Sequence, residues 1–196
     1  AATAAVRTGG APCFTDLRAM LAVGGLDAVA VCTPSGLHPA HGRLAAAAGC
    51  HVLCEKPPGL DLASIDTMLQ ACGDQGTRCF VVLQNRLNPP VVALKRALDE
   101  RRLGRVCLIH ASVLWCRPQA YFDEAAWRGT RDLDGGVLMN QACHYLDLLQ
   151  WLVGDVSEVA AFGATRARRL AAEDTAVVAV RFACGAVGSV SATVAV

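Results

Sequence analysis

The sequence has almost no excess of charge, since 18 Lys and Arg stand against 17 Asp and Glu, a formal net charge of +1. That balance makes no electrostatic case for nucleic acid or an anionic membrane surface, so neither is expected as a partner. Long apolar runs are missing too. Asp, Arg, Glu or Pro cuts each one before the roughly 18 residues that a spanning helix needs. The chain opens on Ala1 with no charged stretch ahead of an apolar one, so no signal peptide is expected. There is no internal repeat and no low-complexity linker. What is present is a globular composition, 54% hydrophobic and 18% charged over 196 residues, long enough to bury a core.

Cysteine is in surplus, with ten. Most fall inside apolar runs such as Val31-Cys32, Cys79-Phe80-Val81 and Val106-Cys107-Leu108, where free Cys behaves as a small hydrophobe. A reducing, cytoplasmic setting is therefore expected. Cys50-His51-x-x-Cys54 has the wrong order for haem attachment and lacks a second ligand pair for zinc, so no metal site is expected.

The chain is organised around Cys54-Glu55-Lys56-Pro57-Pro58. The apolar run Cys50-His51-Val52-Leu53 reads as a buried strand, and the proline pair stops it with Glu55 and Lys56 at its carboxyl end. Ligands of open parallel sheets bind at such ends. Before it, the spacing predicts a helix capped by Thr15-Asp16 and ended by Gly24-Gly25, then a buried strand Asp27 to Cys32. The exit turn Thr33-Pro34-Ser35-Gly36 and a helix from His38 to Ala48, stopped by Gly49, complete a parallel crossover unit. After it, Asp61 caps a helix with apolar positions Leu62, Ile65, Met68, Leu69 and Cys72. Arg78 to Leu83 is a third parallel strand, with Gln84-Asn85-Arg86 at its carboxyl end. Neighbouring strands lie about 4.8 Å apart, so three such ends would converge on one crevice.

Beyond the helix Val91 to Arg102 the pattern changes. Val106 to Trp115 alternates, a polar and aromatic loop runs from Arg117 to Thr130, and a helix is predicted from Gly136 to Val153. Val156 to Gly163, Thr175 to Phe182 and Val187 to Val196 then alternate as antiparallel strands, with Cys184-Gly185 as a turn. The fold class read from this order is α/β: a partial nucleotide-binding parallel sheet in residues 1–88, then an α+β domain, residues 89–196, with an open, mainly antiparallel sheet. Alternation such as Val177 to Phe182 predicts a sheet face buried against a second copy of the chain. In the predicted helix, Asn140, His144, Asp147 and Trp151 recur at intervals of four, three and four, which places them on one face.

Three motifs, Thr33-Pro34-x-x-x-His38, Glu55-Lys56-Pro57 and Asp134-Gly135-Gly136-x-x-x-Asn140-x-x-x-His144, resemble in order and spacing the glucose-fructose oxidoreductase/inositol dehydrogenase (Gfo/Idh/MocA) family. The resemblance covers nearly the whole chain. Gln84-Asn85-Arg86-x-Asn88-Pro89, Trp127-Arg128-Gly129-Thr130 and Met139-Asn140-Gln141 further resemble its bacterial branch of nucleotide-sugar 3-dehydrogenases acting on UDP-N-acetylglucosaminuronate. The resemblance implies a Rossmann-like first domain and a family-type substrate domain. It implies NAD as cofactor, with NADP left open, held by Thr33, Pro34, His38, Glu55, Lys56, Gln84, Trp127 and Arg128. It places Arg86, Asn88, Asn140 and His144 on a sugar or nucleotide-sugar substrate, with Lys56 and His144 as the catalytic pair flanking the oxidised carbon. Many members carry Asp where this chain has Asn140; Asn cannot accept a proton, so a hydrogen bond to substrate is the role implied here.

The family also opens with a strand, a Gly-x-Gly-x-x-Gly turn for the pyrophosphate and a second strand ending in an acidic residue. This chain has none of these, and Gly9-Gly10 is not that loop. The chain reads as a fragment of an oxidoreductase. Two other functions stay in view: another sugar or inositol dehydrogenase of the same fold, and a catalytically silent ligand-binding subunit.

Overall fold

The structure, a computed structural model, describes residues 10–196; Gly9 and almost all of the opening stretch lie outside the described residues. The chain divides into two compact units between Val82 and Leu83, ahead of the division read from the sequence.

The first unit runs α1 (Leu17–Ala22), β1 (Ala28–Val31), α2 (His38–Ala47), β2 (His51–Cys54), α3 (Leu62–Asp74) and β3 (Cys79–Val81). Its sheet is parallel in the order β1-β2-β3. The helix starts are where their caps put them. Asp16 accepts from the Ala19 N–H and Asp61 from the Ser64 N–H, both at 2.8 Å. Gly49, at φ +78°, ends α2 and turns the chain into β2. In α2, Gly42 is needed because a Cβ there would collide with the Met68 side chain of α3. Val29, Val31, Val52 and Cys54 point into one core with Met68 and Cys72.

The strands were expected to be buried, yet they bury one face only: Leu53 and Phe80 are 45% and 51% exposed on the other. The apolar stripe of α3 is also narrower than its spacing implied. Met68 and Cys72 are buried, whereas Leu62 and Leu69 stay exposed, because only one turn face of the helix meets α2.

The second unit starts with a tight 3₁₀ turn, Gln84–Leu87, followed by α4 (Pro89–Asp99), β4 (Leu108–Leu114) and α5 (Gln119–Asp123). A wide π-helical turn, Val137–Gln141, leads into α6 (Cys143–Val153), then β5 (Val156–Ala164), β6 (Thr175–Phe182) and β7 (Val187–Thr193). The sheet order is β4-β7-β6-β5, with β4 parallel to β7 and the other pairs antiparallel. One face carries Val113, Val178, Val180, Phe182, Val190 and Ala192 into a core shared with Leu149 of α6. The opposite face presents Leu108, Phe162 and Val177 to solvent, Phe162 being 86% exposed.

Three expectations change here. The long helix from Gly136 is two pieces, because Ala142 N–H donates to the Val137 carbonyl, five residues back, and the turn widens. The Arg117 to Thr130 loop contains α5. The last strand ends at Thr193, and Ala195 makes only an isolated bridge to Cys116. Among the described residues no helix is long and apolar enough to cross a membrane.

Candidate active site

In the first unit the candidate residues lie along the carboxyl ends of neighbouring strands. Val31 pairs with Cys54, so the exit of β1 at Thr33-Pro34 and the exit of β2 at Glu55-Lys56 are side by side. Backbone hydrogen bonds hold this rim: Glu55 N–H donates to the Val31 carbonyl at 3.0 Å, and Val82 N–H to the Cys54 carbonyl at 2.9 Å. His38, 1% exposed, ties the two exits together. Its Nε2 lies 2.6 Å from the Thr33 carbonyl oxygen and its Nδ1 2.7 Å from that of Pro57. His38 is therefore a strut between the two exits, and Thr33, Glu55 and Lys56 stand beside it at the strand ends.

The Thr33 hydroxyl sits 3.0 Å from His41 Nδ1, and the Glu55 carboxylate accepts from the Lys56 N–H at 3.2 Å. Beside Thr33 opens a cavity of about 500 Å³ lined in part by Phe14, Met20, Val31, His41 and Leu44. Burial, reinforced by the neighbouring Cys79, Glu55 and Cys32, pushes the Cys54 thiol up to about 12. It stays a protonated thiol at neutral pH and packs as an apolar group.

In the second unit His144 lies in the first turn of α6, partly buried. The turn before it is built from Asp134-Gly135-Gly136. Asp134, 2% exposed, accepts the Gly129 N–H at 2.7 Å and an Asn140 side-chain N–H. Gly136, at φ +86°, brings the backbone so close to Glu173 that any Cβ would strike its carboxylate. Glu173 in turn accepts the Leu138 N–H at 3.1 Å through its side chain and the Val137 N–H at 3.0 Å through its carbonyl. The widened turn takes Asn140 off the α6 stripe. His144, Asp147 and Trp151 remain in register on one face.

Arg86 does not point free from its turn. Its guanidinium grips Asp147 with two hydrogen bonds, Nε to Oδ2 at 2.8 Å and Nη2 to Oδ1 at 2.5 Å. That hydrogen bonding holds the Arg86 proton more firmly than usual. Arg86 also lies over the Trp151 ring at 5.5 Å, with Lys95 over the same ring at 5.6 Å. Gln84 stands in the same 3₁₀ turn, and Asn88 closes it by an N–H to the Asn85 carbonyl.

Arg128 is likewise committed within its own loop. It donates to the Tyr121 carbonyl at 2.6 Å and the Glu124 carboxylate at 2.7 Å, and stacks over Tyr121 at 4.1 Å and Trp127 at 5.8 Å. Spacing had placed Asp147 on the His144 face. Asp134 and Glu173 as supports were not foreseen, and for Glu173 no local signal exists, since it lies 35 residues beyond Leu138.

The residues on the first unit's rim could hold a dinucleotide, since adjacent parallel strand ends bring Thr33, Glu55 and Lys56 side by side. The sequence holds no Gly-x-Gly-x-x-Gly loop for the pyrophosphate.

Comparison with known proteins gives these features a context. The pattern of an oxidoreductase family with an NAD-binding Rossmann fold matches residues 1–83, and that of the GFO/IDH/MocA C-terminal domain matches residues 91–196. The WlbA dehydrogenase of Bordetella pertussis, solved with NADH and UDP-GlcNAcA, is similar with a TM-score of 0.96 and 47% identity over 99% of this chain and 56% of that one. A levoglucosan dehydrogenase solved with NADH and levoglucosan gives 0.91 and 30% over 100% of this chain and 55% of that one. By sequence, the levoglucosan dehydrogenase of Pseudarthrobacter phenanthrenivorans is 29% identical over 98% of this chain and 56% of its own length. The chain thus spans little more than half the length of these relatives. Matched in order by both domains of one family along almost all its residues, the chain belongs to the NAD-binding Gfo/Idh/MocA oxidoreductases.

Proposed function

We propose that the chain is the nicotinamide- and substrate-facing portion of a cytoplasmic dehydrogenase that oxidises a secondary hydroxyl of a nucleotide sugar, C3 of a UDP-N-acetylhexosaminuronate. The observation that carries this reading is the rim at the ends of β1 and β2, where adjacent strand ends tied by His38 bring Thr33, Glu55 and Lys56 side by side. When bound, NAD accepts the hydride that leaves the sugar carbon. The protein has one proton to manage. His144, of a residue type with an intrinsic pKa of about 6.5, suits the base that takes the hydroxyl proton. Lys56 suits the donor that orients the hydroxyl oxygen and stabilises its developing charge. Thr33, Pro34, Glu55 and Gln84 are assigned to the cofactor, and Asn88 and Asn140 to the sugar. Trp127 and Arg128 are assigned to the cofactor as well. Residues 1–88 and 89–196 are the cofactor and substrate portions.

A second reading, another sugar or inositol dehydrogenase of the same fold, is favoured by one observation. Arg86, the natural reader of a uronate carboxylate, is engaged by Asp147. Comparing binding of UDP-N-acetylglucosaminuronate with its neutral parent separates the two readings. The open face of the second sheet, with Leu108, Phe162 and Val177 exposed, supports a homo-oligomer. Sedimentation showing a monomer at micromolar concentration would remove that part.

The test of the function is calorimetry with NAD and NADP, followed by reduction of the cofactor with the uronate present. Binding and reduction are expected once an amino-terminal strand-loop-helix is restored ahead of the chain, and binding without reduction in that form would favour the silent ligand-binding subunit. In an active form, loss of turnover in Lys56→Ala but not in His144→Ala would reverse the assigned roles.

A further inference from the structure

We infer that Arg86 is a positioning residue: its two-pronged grip on Asp147 fixes the rotation of α6 and so the aim of His144. The argument begins with the break ahead of α6. The wide turn Val137–Gln141 interrupts the helix immediately before Cys143, so helix continuity from the amino side does not set the angle at which His144 leaves the axis. The second and third turns must set it instead. Asp147 and Trp151 lie three and seven residues beyond His144 on the same face. Both are met by the same partner. Arg86 takes both oxygens of Asp147, at 2.8 and 2.5 Å, and lies 5.5 Å from the Trp151 ring, while Lys95 of α4 lies 5.6 Å from that ring.

A planar fork on a carboxylate is directional, which a single ammonium contact is not. Turning α6 in either sense breaks the fork and unstacks Trp151 together. A rotation of only about 20° moves a group about 6 Å from a helix axis by about 2 Å. Misplacement of that order in a reacting group costs on the order of 10²-fold in rate. The Asp147 carboxylate also answers the charge of Arg86, which leaves Arg86 a support for the base rather than a reader of the substrate's charge.

The inference rests on the dehydrogenase reading only for its kinetic arm, so the first test uses the chain alone. Side-chain ¹⁵N resonances of His144 are followed in Arg86→Lys, Arg86→Ala and Asp147→Asn, with His110 on the sheet's open face as a reference for folding. Expected is one sharp set for His144 in the parent and shifted or multiple sets in Arg86→Ala and Asp147→Asn. The double variant should be no worse than either single, because the two residues act as one unit. His144 resonances unchanged in folded Arg86→Lys and Asp147→Asn would overturn the proposal.

The second test compares charged and neutral UDP-sugars. Turnover is expected to fall on the order of 10- to 100-fold by the same factor on both, with KM little changed. A loss confined to the uronate in Arg86→Ala, with tighter uronate binding in Asp147→Asn, would make Arg86 the carboxylate reader and overturn the proposal. If a form with an amino-terminal strand-loop-helix restored binds and turns over neither sugar, the dehydrogenase reading fails while the resonance test still decides the role of Arg86.

Discussion

The two units hold their candidate residues by different means. In the first, Thr33, Glu55 and Lys56 stand on strand ends, fixed by backbone hydrogen bonds and by one buried ring that touches two carbonyl oxygens. In the second, His144 stands on a helix set by side-chain hydrogen bonds: Arg86 with Asp147, Glu173 under the preceding turn, and Asp134 between Gly129 and Asn140. Backbone ladders tolerate changes of side chain, whereas a side-chain network loses its geometry when one member is removed. The second unit should therefore answer more sharply to single substitutions at polar positions.

The largest expected effect tests whether the two units divide the chemistry as proposed. His144→Ala should lower turnover by about 10²–10⁴-fold, the usual cost of losing a general base, while cofactor binding to the first unit's rim, read by calorimetry, stays unchanged. Next come the cores. Phe182→Ala should destabilise the second unit by about 3–5 kcal/mol, and Met68→Ala the first by about 2–5 kcal/mol. Calorimetric unfolding should show each loss in one unit's transition; a single merged transition moved equally by both would break the comparison.

How far the sequence alone leads follows the same division. Asp16 and Asp61 as caps, Gly49 as a helix stop and Pro57-Pro58 as a strand stop are local signals, and each acts where its chemistry places it. The strand-end motifs were legible for that reason. The second unit hid more. The widening of the helix at Val137–Gln141 has no signature in a period of three and four, and the supports of His144 come from 61 residues away for Arg86–Asp147. The one-sided burial of the first sheet was also missed, since an apolar run cannot say whether both its faces are covered.

A smaller effect sharpens the contrast in acid. Burial pushes the Asp174 carboxyl up, but the N–H groups of Arg166, Ala167 and Arg168 and the Thr175 hydroxyl outweigh it, and its folded pKa lies below the ordinary 3.8. Between the folded value and about 3.8 the unfolded chain binds more protons. The stabilisation is therefore complete above about pH 4 and is lost as pH falls through the folded value. Circular dichroism with amide exchange from pH 5 to 2 should find protection lost first in β6 and the adjoining loop, and Asp174→Asn should flatten that dependence. The smallest effect is at the cap of α3. Asp61→Ala should fray the first turn of α3, read as faster amide exchange at Ser64, and leave His144 resonances untouched.

The wide turn at Val137–Gln141 has an evolutionary consequence. A π turn is an α-helix with one residue too many, and deleting a single residue there would restore a continuous ladder. Asn140 is in this sense adjustable by length as well as by identity: a one-residue deletion swings the side chain at that place around the axis, away from Asp134, while the fork between Arg86 and Asp147 keeps the rest of α6 where it is. Relatives with a shorter turn could thus present a different polar group to their substrates without re-aiming the histidine, a route to new specificity that substitution alone does not open.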